Sequence, residues 1–130
     1  MAAQCEVKMA VNVTGLGNEL NLGNRFVTTN TPEGCHYGYG TIAAADTYEA
    51  VDLGQVAASL VDGLYIRSID ETVYLDPACS LAGTEKKMLR IDESEAAFFR
   101  PVLSDTALSV MVVCSTAGAS YEYFVVGQTS

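Results

Sequence analysis

Apolar and polar residues alternate with a period of two along much of the chain. In residues 5–13, Val7, Met9, Val11 and Val13 stand at every second position, between polar or small residues. Successive side chains of a β-strand point to opposite faces, so this alternation predicts a half-buried strand. Similar segments recur, with turn-forming residues between them, at intervals of about 8–12 residues, which is typical of a β-sandwich.

The whole pattern predicts an all-β fold: an antiparallel, jelly-roll-like β-sandwich in a single domain of residues 1–130. Gly23 and Asn24 predict a turn, and Asp76 followed by Pro77 should end a strand. The further predicted strands are residues 18–22, 25–29, 37–43, 48–53, 64–69, 72–75, 85–91, 107–114 and 120–126.

Two segments have sequence features of a helix. Asp92 and Glu95 have the spacing of a helix capping box, but residues 92–100 also fit a strand, which we favour because the surrounding segments are β. Residues 56–60 contain helix formers but are too few to form a stable helix alone. Gly63, at the start of the next strand, is expected to supply a turn conformation that a larger residue would resist.

The composition is acidic, with 16 Asp and Glu against 7 Lys and Arg and a formal net charge of −9. The cations are too few to neutralise a run of phosphates, and the negative sign opposes anionic membranes, so we expect neither nucleic acid nor membrane as a partner. No apolar run approaches the roughly 20 residues of a membrane span, and no signal-peptide pattern is visible. We therefore expect synthesis in a cytoplasm and a solvated acidic surface.

The four cysteines, Cys5, Cys35, Cys79 and Cys114, are widely spaced and include no CxxC pair. Zinc sites usually contain at least one close pair, so no metal site is predicted. In a reducing compartment, free thiols are the expected state, and a disulfide in any of three pairings is the alternative.

The sequence offers little for catalysis. His36 is the only histidine, and its neighbour Cys35 should point to the opposite face of an extended strand, so the two do not form a dyad. The carboxylates at residues 70–71 and 92–95 lie in polar, turn-like runs, whereas acid–base catalysis needs two that converge on a cleft. We predict no catalytic residue and no cofactor, and we expect that the protein is not an enzyme.

Residues 51–126 contain a series of short segments in a distinctive order: DLG, GLYIRSID, TVYL, KMLRI, EAAFF, LSVMVV and EYFVV. In this order and spacing the chain resembles a family of small tailed-bacteriophage virion proteins with a β-sandwich fold. The resemblance implies a non-enzymatic structural protein that assembles on the capsid, as a decoration, fibre or cement protein, or on the tail. It also implies major capsid or tail proteins as partners, homo-oligomers, and a location in the virion.

Seven tyrosines occur in a chain without tryptophan. Tyrosine suits half-exposed positions and protein interfaces, and we predict Phe26, Tyr37 and Tyr39 as interface anchors. Exposed tyrosines beside polar residues also suit stacking on sugars. A carbohydrate- or ligand-binding β-sandwich module is therefore the alternative function.

Overall fold

The computed structural model describes residues 3–15, 17, 20–28, 31–79, 84–101 and 109–129. Within these residues the chain forms ten β-strands and one 3₁₀ turn at Ala58–Leu60. The strands are β1 (Glu6–Val13), β2 (Leu20–Val27), β3 (Gly34–Thr41), β4 (Glu49–Ala50), β5 (Val61–Ser68), β6 (Val73–Cys79), β7 (Leu89–Ile91), β8 (Ala96–Phe99), β9 (Ser109–Val113) and β10 (Ser120–Gly127).

The strands form two four-stranded sheets and a separate hairpin. The front sheet has the order β3-β10-β5-β8, the back sheet has the order β4-β9-β6-β7, and β1 and β2 form a hairpin that we call the arm. All pairings among the described residues are antiparallel, which confirms the predicted all-β antiparallel fold. From β3 onwards the strands pair as nested partners: β3 with β10, β4 with β9, β5 with β8, and β6 with β7.

A single hydrophobic cluster fills the space between the two sheets. The front sheet contributes inward residues of β5 and β10, such as Leu64 and Val125, and the back sheet contributes inward residues of β6 and β9, such as Leu75 and Val112. Burying one side chain of this kind contributes about 1.5–3 kcal/mol. Among the side chains that the structure describes, none from the arm belongs to this cluster, so the arm depends on other contacts.

Two predicted strand breaks are wrong. β2 runs without interruption through Gly23 and Asn24, because these residues pair with Ala10 and Met9 of β1 and the arm turns instead near Gly15, where φ is 83°. β6 likewise continues through the predicted stop at Asp76 and Pro77. The register against β9 shifts between Asp76 and Cys79, and such an irregularity accommodates a residue without an N–H group.

Several strand bounds differ from the predicted ones. β7 has three residues, and before it the Asp76 carboxylate accepts the Lys86 N–H at 2.9 Å. β4 has two residues, and after it the Asp52 carboxylate accepts the Gly54 N–H at 2.8 Å where the chain turns. The predicted strand residues 18, 19, 29, 107 and 108 lie outside the described residues.

The segment 92–100 contains a strand, as predicted, preceded by a tight turn. Glu95 N–H donates to the Asp92 carbonyl at 2.9 Å, and Asp92 N–H donates to the Glu95 carboxylate at 3.3 Å. The bond to the Glu95 carboxylate is one of the two bonds of a capping box, but the Glu95 N–H bonds to the Asp92 backbone carbonyl instead of its side chain, and Ser94 has φ of 65°, which no α-helix allows. The same residue pattern therefore closes a turn that leads into β8.

Three strand glycines make room for aromatic rings. Gly63 lies inside β5 and is not among the residues with positive φ, so the predicted turn role is wrong; a Cβ there would lie 2.5 Å from the Phe98 ring. In β3, Gly38 lies opposite Tyr123 and Gly40 lies opposite Tyr121. A Cβ at Gly38 would lie 3.1 Å from the Tyr123 hydroxyl oxygen, and one at Gly40 would overlap the Tyr121 ring.

Replacing Gly40 with alanine should destabilise the protein. The added Cβ overlaps the buried Tyr121 ring, and overpacking of this kind typically lowers the free energy of unfolding by about 1–3 kcal/mol. Gly23→Ala is the matched control, since a Cβ there has only an ordinary contact at 3.5 Å with the Met9 carbonyl oxygen. Urea denaturation measures both variants, and equal stabilities would contradict the packing role of Gly40.

Stability should also fall at alkaline pH. Burial, followed by the nearby Tyr123, Glu49 and Asp52, raises the pKa of Tyr121 from 10.0 to about 12. The folded state holds this proton more tightly than the unfolded state, so the stabilisation is complete below the unfolded pKa and is lost as pH rises through the folded pKa. Between about pH 9 and pH 12 we expect a loss of about 2 kcal/mol in denaturation experiments. Tyr121→Phe should reduce this loss, and an unchanged pH dependence would argue against this origin.

Candidate interaction surface

The outer face of the front sheet carries a group of aromatic and charged side chains that we call the tyrosine face. It consists of Tyr37, Tyr39, Tyr65, Arg67 and Glu122. Glu122 lies on β10, directly opposite Tyr39 of β3 on one side and Arg67 of β5 on the other. Alternation in the three strands therefore gathers these side chains on the face away from the core.

Glu122 is the centre of a polar network. Its carboxylate accepts the Tyr37 hydroxyl at 2.9 Å and the Tyr65 hydroxyl at 3.4 Å, and it lies 3.4 Å from Arg67 Nε. The Tyr37 and Tyr39 hydroxyl oxygens are 2.8 Å apart, and their rings meet edge to face with centroids separated by 5.5 Å. The network fixes the rings while it leaves Tyr37 and Tyr39 exposed by 53% and 66%.

The environment of this network raises the pKa of two tyrosine hydroxyls. The hydrogen bond to Tyr39, together with that to Glu122, raises the pKa of Tyr37 well above its usual range. Burial, followed by the charge of Glu122, raises the pKa of Tyr65. Around neutral pH Tyr37 and Tyr65 therefore present aromatic rings and neutral hydroxyls, groups that recognise partners by apolar contact and hydrogen bonding.

The arm carries a second exposed surface. Val7, Met9 and Val11 of β1 lie opposite Phe26, Asn24 and Leu22 of β2, so one side of the arm is largely apolar. Near its base this side reaches the sandwich, where the Phe26 and Phe98 rings lie 6.2 Å apart. Farther along it is uncovered: Met9, Val11 and Leu22, which we call the arm patch, are exposed by 47%, 54% and 55%.

The opposite side of the arm is polar. Glu6 forms ion pairs with Lys8, at 3.2 Å, and with Arg25 across the hairpin. The hydrogen bond from Arg25, and then that from Lys8, lowers the pKa of Glu6. Exposed pairs of this kind add little stability, so they mark the side that faces water.

A groove separates the base of the arm from the outer face of the front sheet. One part, of about 430 Å³, lies between Met9 and the rings of Tyr65 and Phe98. A second part, of about 340 Å³, lies beside Cys5 and Cys35, and both parts border Phe124. Burial raises the pKa of the Cys5 thiol, so this part of the groove presents a neutral thiol and apolar groups.

The cysteine and histidine side chains show no catalytic arrangement in the described part of the chain. Cys35 is exposed on the outer face of β3 while His36 points inward, 3.7 Å from Asp52 and 5.7 Å from the Tyr123 ring centroid, as predicted from alternation. Cys5, Cys35 and Cys114 are free thiols, and the side chain of Cys79 lies outside the described residues. Among the described residues, no group of three His, Cys, Asp or Glu is placed to hold a metal ion.

The three predicted interface anchors are divided between two surfaces. Tyr37 and Tyr39 belong to the tyrosine face, whereas Phe26 is half-buried at the base of the arm against Phe98. The sequence reasoning missed Glu122, although a lone acidic residue in the apolar run SYEYFVV was a usable signal. It also missed the arm patch, because its alternation is the same as that of a strand covering a core.

Comparisons with known proteins add no assignment. No protein-family model, curated protein or solved structure matches the chain. Among the helical residues that the structure describes, none belongs to a helix long and apolar enough to cross a membrane.

Proposed function

We propose that the protein is a non-enzymatic structural subunit of a bacteriophage virion that assembles on the capsid or tail through the surfaces of its sandwich. The observation that carries the proposal is the uncovered arm patch. The nested pairing of β3–β10 supports the finer fold assignment to a jelly roll, an architecture in which eight strands form two packed sheets.

The arm has the properties of a segment completed by a neighbour. An isolated two-stranded hairpin is at best marginally stable in water, and each arm strand has eight residues, about 26 Å of chain. Met9, Val11 and Leu22 are exposed side by side on the same face. Covering them would remove apolar surface from water and stabilise the arm, so we assign a neighbouring virion subunit with an apolar surface as the partner.

The charge distribution is consistent with this role. The chain carries a net charge of −9, yet the arm patch contains no ionisable residue. Acidic surface elsewhere keeps free subunits soluble before assembly, while the uncharged patch provides a contact without electrostatic repulsion.

The triple variant Met9→Ser, Val11→Thr, Leu22→Ser should fold but fail to assemble. The wild-type chain should be found by mass spectrometry in stoichiometric amounts in virions purified from the phage that encodes it. When supplied in trans, the triple variant should be incorporated at least about tenfold less, since removing three apolar contacts from an interface weakens binding by more than about 1.4 kcal/mol.

A variant of the opposite side of the arm provides the control. Lys8→Gln, Asn12→Ser and Asn21→Ser change the same strands but leave the arm patch intact, and they should be incorporated normally. Absence of the wild-type chain from virions would contradict the virion assignment. Equal incorporation of the two triple variants would contradict the role of the arm.

A second candidate function is carbohydrate binding at the tyrosine face. The exposed Tyr37 and Tyr39 rings beside a carboxylate and Arg67 offer both stacking surfaces and hydrogen-bonding groups. Arg67 Nε is buried and has no hydrogen-bond partner among the described residues, although it lies 3.4 Å from Glu122. A sugar hydroxyl bound beside the exposed Tyr37 and Tyr39 would find their hydroxyl groups already held in position by the network.

If this face binds sugars, a glycan array probed with the protein should give signals that Tyr39→Ala removes. Tyr39→Phe keeps the ring and should retain most of the binding, because stacking depends on the ring rather than the hydroxyl. Met88→Ala alters another exposed apolar residue, which is exposed by 63%, and should have no effect. An array without signals for the wild-type chain would contradict carbohydrate binding.

A further inference from the structure

Among the strands that the structure describes, β3 is an edge strand, with a regular set of backbone groups that face away from β10. Ile42 N–H donates to the Ala119 carbonyl at 2.8 Å. Ile42 and Ala119 each lie two residues beyond the pair Gly40 and Tyr121, so this bond belongs to the same β3–β10 register. In an antiparallel ladder both backbone groups of one residue point to the same neighbour, and those of the next residue point away. The even-numbered residues of β3 therefore bond to β10.

The pairing of β10 with β5 leads to the same assignment of hydrogen-bonding directions. Ile69 N–H donates to the Ser120 carbonyl at 3.0 Å, so the even-numbered residues of β10 bond to β5 and the odd-numbered ones bond to β3. In the sheet order of the described residues, β3 has β10 as its one hydrogen-bonded neighbour. The edge away from β10 thus presents the N–H and C=O groups of Cys35, Tyr37, Tyr39 and Thr41.

This edge lacks the features that usually prevent strand addition. Natural edge strands are protected by charged side chains, proline, bulges or short length. β3 has eight residues, GCHYGYGT, with no Asp, Glu, Lys, Arg or Pro, in a chain with 16 acidic and 7 basic residues. Its pairing with β10 is regular over the full length.

We propose that β3 pairs antiparallel with β3 of a second copy of this chain, across a two-fold axis at Gly38. Edge-facing residues must lie opposite each other, and only registers centred on a single residue satisfy this condition. Centring on Gly38 pairs all four edge-facing residues: Cys35 with the second copy's Thr41, and Tyr37 with its Tyr39. Centring on Tyr37 would pair only three within the strand.

The side chains also fit this register. On the outer face, the two copies together place four tyrosines in two adjacent cross-strand pairs around the axis. On the inner face, His36 lies opposite the second copy's Gly40, so a bulky group meets a position without a side chain. The pairing forms about eight hydrogen bonds, within the roughly 5–15 of a specific protein interface. No ionised side chain of β3 lies between the two acidic copies.

This inference goes beyond the proposed function and does not depend on it. The strand edge is distinct from the arm patch, and pairing there would occur in a sandwich of either candidate function. A virion assignment that failed would leave the edge pairing intact, and the reverse also holds.

A single substitution tests both the pairing and its register. Thr41→Cys places a thiol opposite the native Cys35 of the second copy, at a Cα separation of about 5.5 Å, which is within the range that a disulfide spans. Both side chains are exposed. In a Cys5→Ser background, mild oxidation should give a covalent dimer of twice 13.8 kDa, with peptide mapping that joins residues 35 and 41.

Two controls define the result. Thr41→Ser adds no thiol and should give no such link, and Tyr39→Cys would link to Cys35 only in the register centred on Tyr37. We expect at least about a tenfold higher dimer yield for Thr41→Cys than for Tyr39→Cys, since the geometry of a disulfide is specific. Absence of the link in Thr41→Cys, or a higher yield in Tyr39→Cys, would overturn the proposed pairing.

Light scattering provides a measurement without cross-linking. The wild-type chain should form a dimer that Tyr39→Pro dissociates, because proline removes an edge-facing N–H group, whereas Tyr39→Phe should remain dimeric. Circular dichroism checks that Tyr39→Pro keeps its β structure. The arm triple variant should dimerise normally, and a wild-type chain that stays monomeric at high micromolar concentration would overturn the proposal.

Discussion

The packing of two tyrosine rings from β10 over the backbone of β3 is the constraint on which the front sheet depends. Tyr121 and Tyr123 point into the core and occupy the space that side chains at Gly40 and Gly38 would need. The inner face of β3 is therefore filled by its neighbour. The two tyrosines of β3, Tyr37 and Tyr39, are on its outer face, and its pairing with β10 is regular over its full length.

Glu122 is an acidic residue in a central strand, and neighbouring side chains compensate its carboxylate. A carboxylate there must be compensated, and the hydroxyls of Tyr37 and Tyr65 with the guanidinium of Arg67 surround it on three sides. The compensation has a second effect, because it holds the aromatic rings in fixed positions. A rigid surface loses little side-chain entropy on binding, which makes the tyrosine face suited to recognition whichever partner it contacts.

The sequence predicts strands well where the alternation is regular and poorly where turn-forming residues lie inside a ladder. Residues 5–13 and 120–126 became strands close to their predicted bounds, because period-two alternation is a property of the strand itself. The strand breaks predicted at Gly23 and Pro77 were wrong. Pairing with β1 overrode the turn preference of Gly23, and an irregular register in β6 accommodated Pro77. The exposed surfaces were harder to predict from the sequence than the strands. Alternation in β1 predicts one apolar face, but only the three-dimensional arrangement shows that Met9, Val11 and Leu22 on this face of the arm are exposed.

The placement of the two exposed surfaces determines what kind of assembly the chain can build. β3 and β8 are the two edges of the front sheet, the Phe26 ring of the arm packs on Phe98 of β8, and among the described strands β3 pairs with β10 alone. Pairing of β3 with itself is isologous and closes after two copies. Under the proposed function the arm patch contacts a different apolar surface on a neighbouring virion subunit, and a contact between unlike surfaces continues from subunit to subunit. Pairs that closed at β3 and were joined through their arms would extend into larger arrays, which is the geometry that we propose for a component of a particle surface.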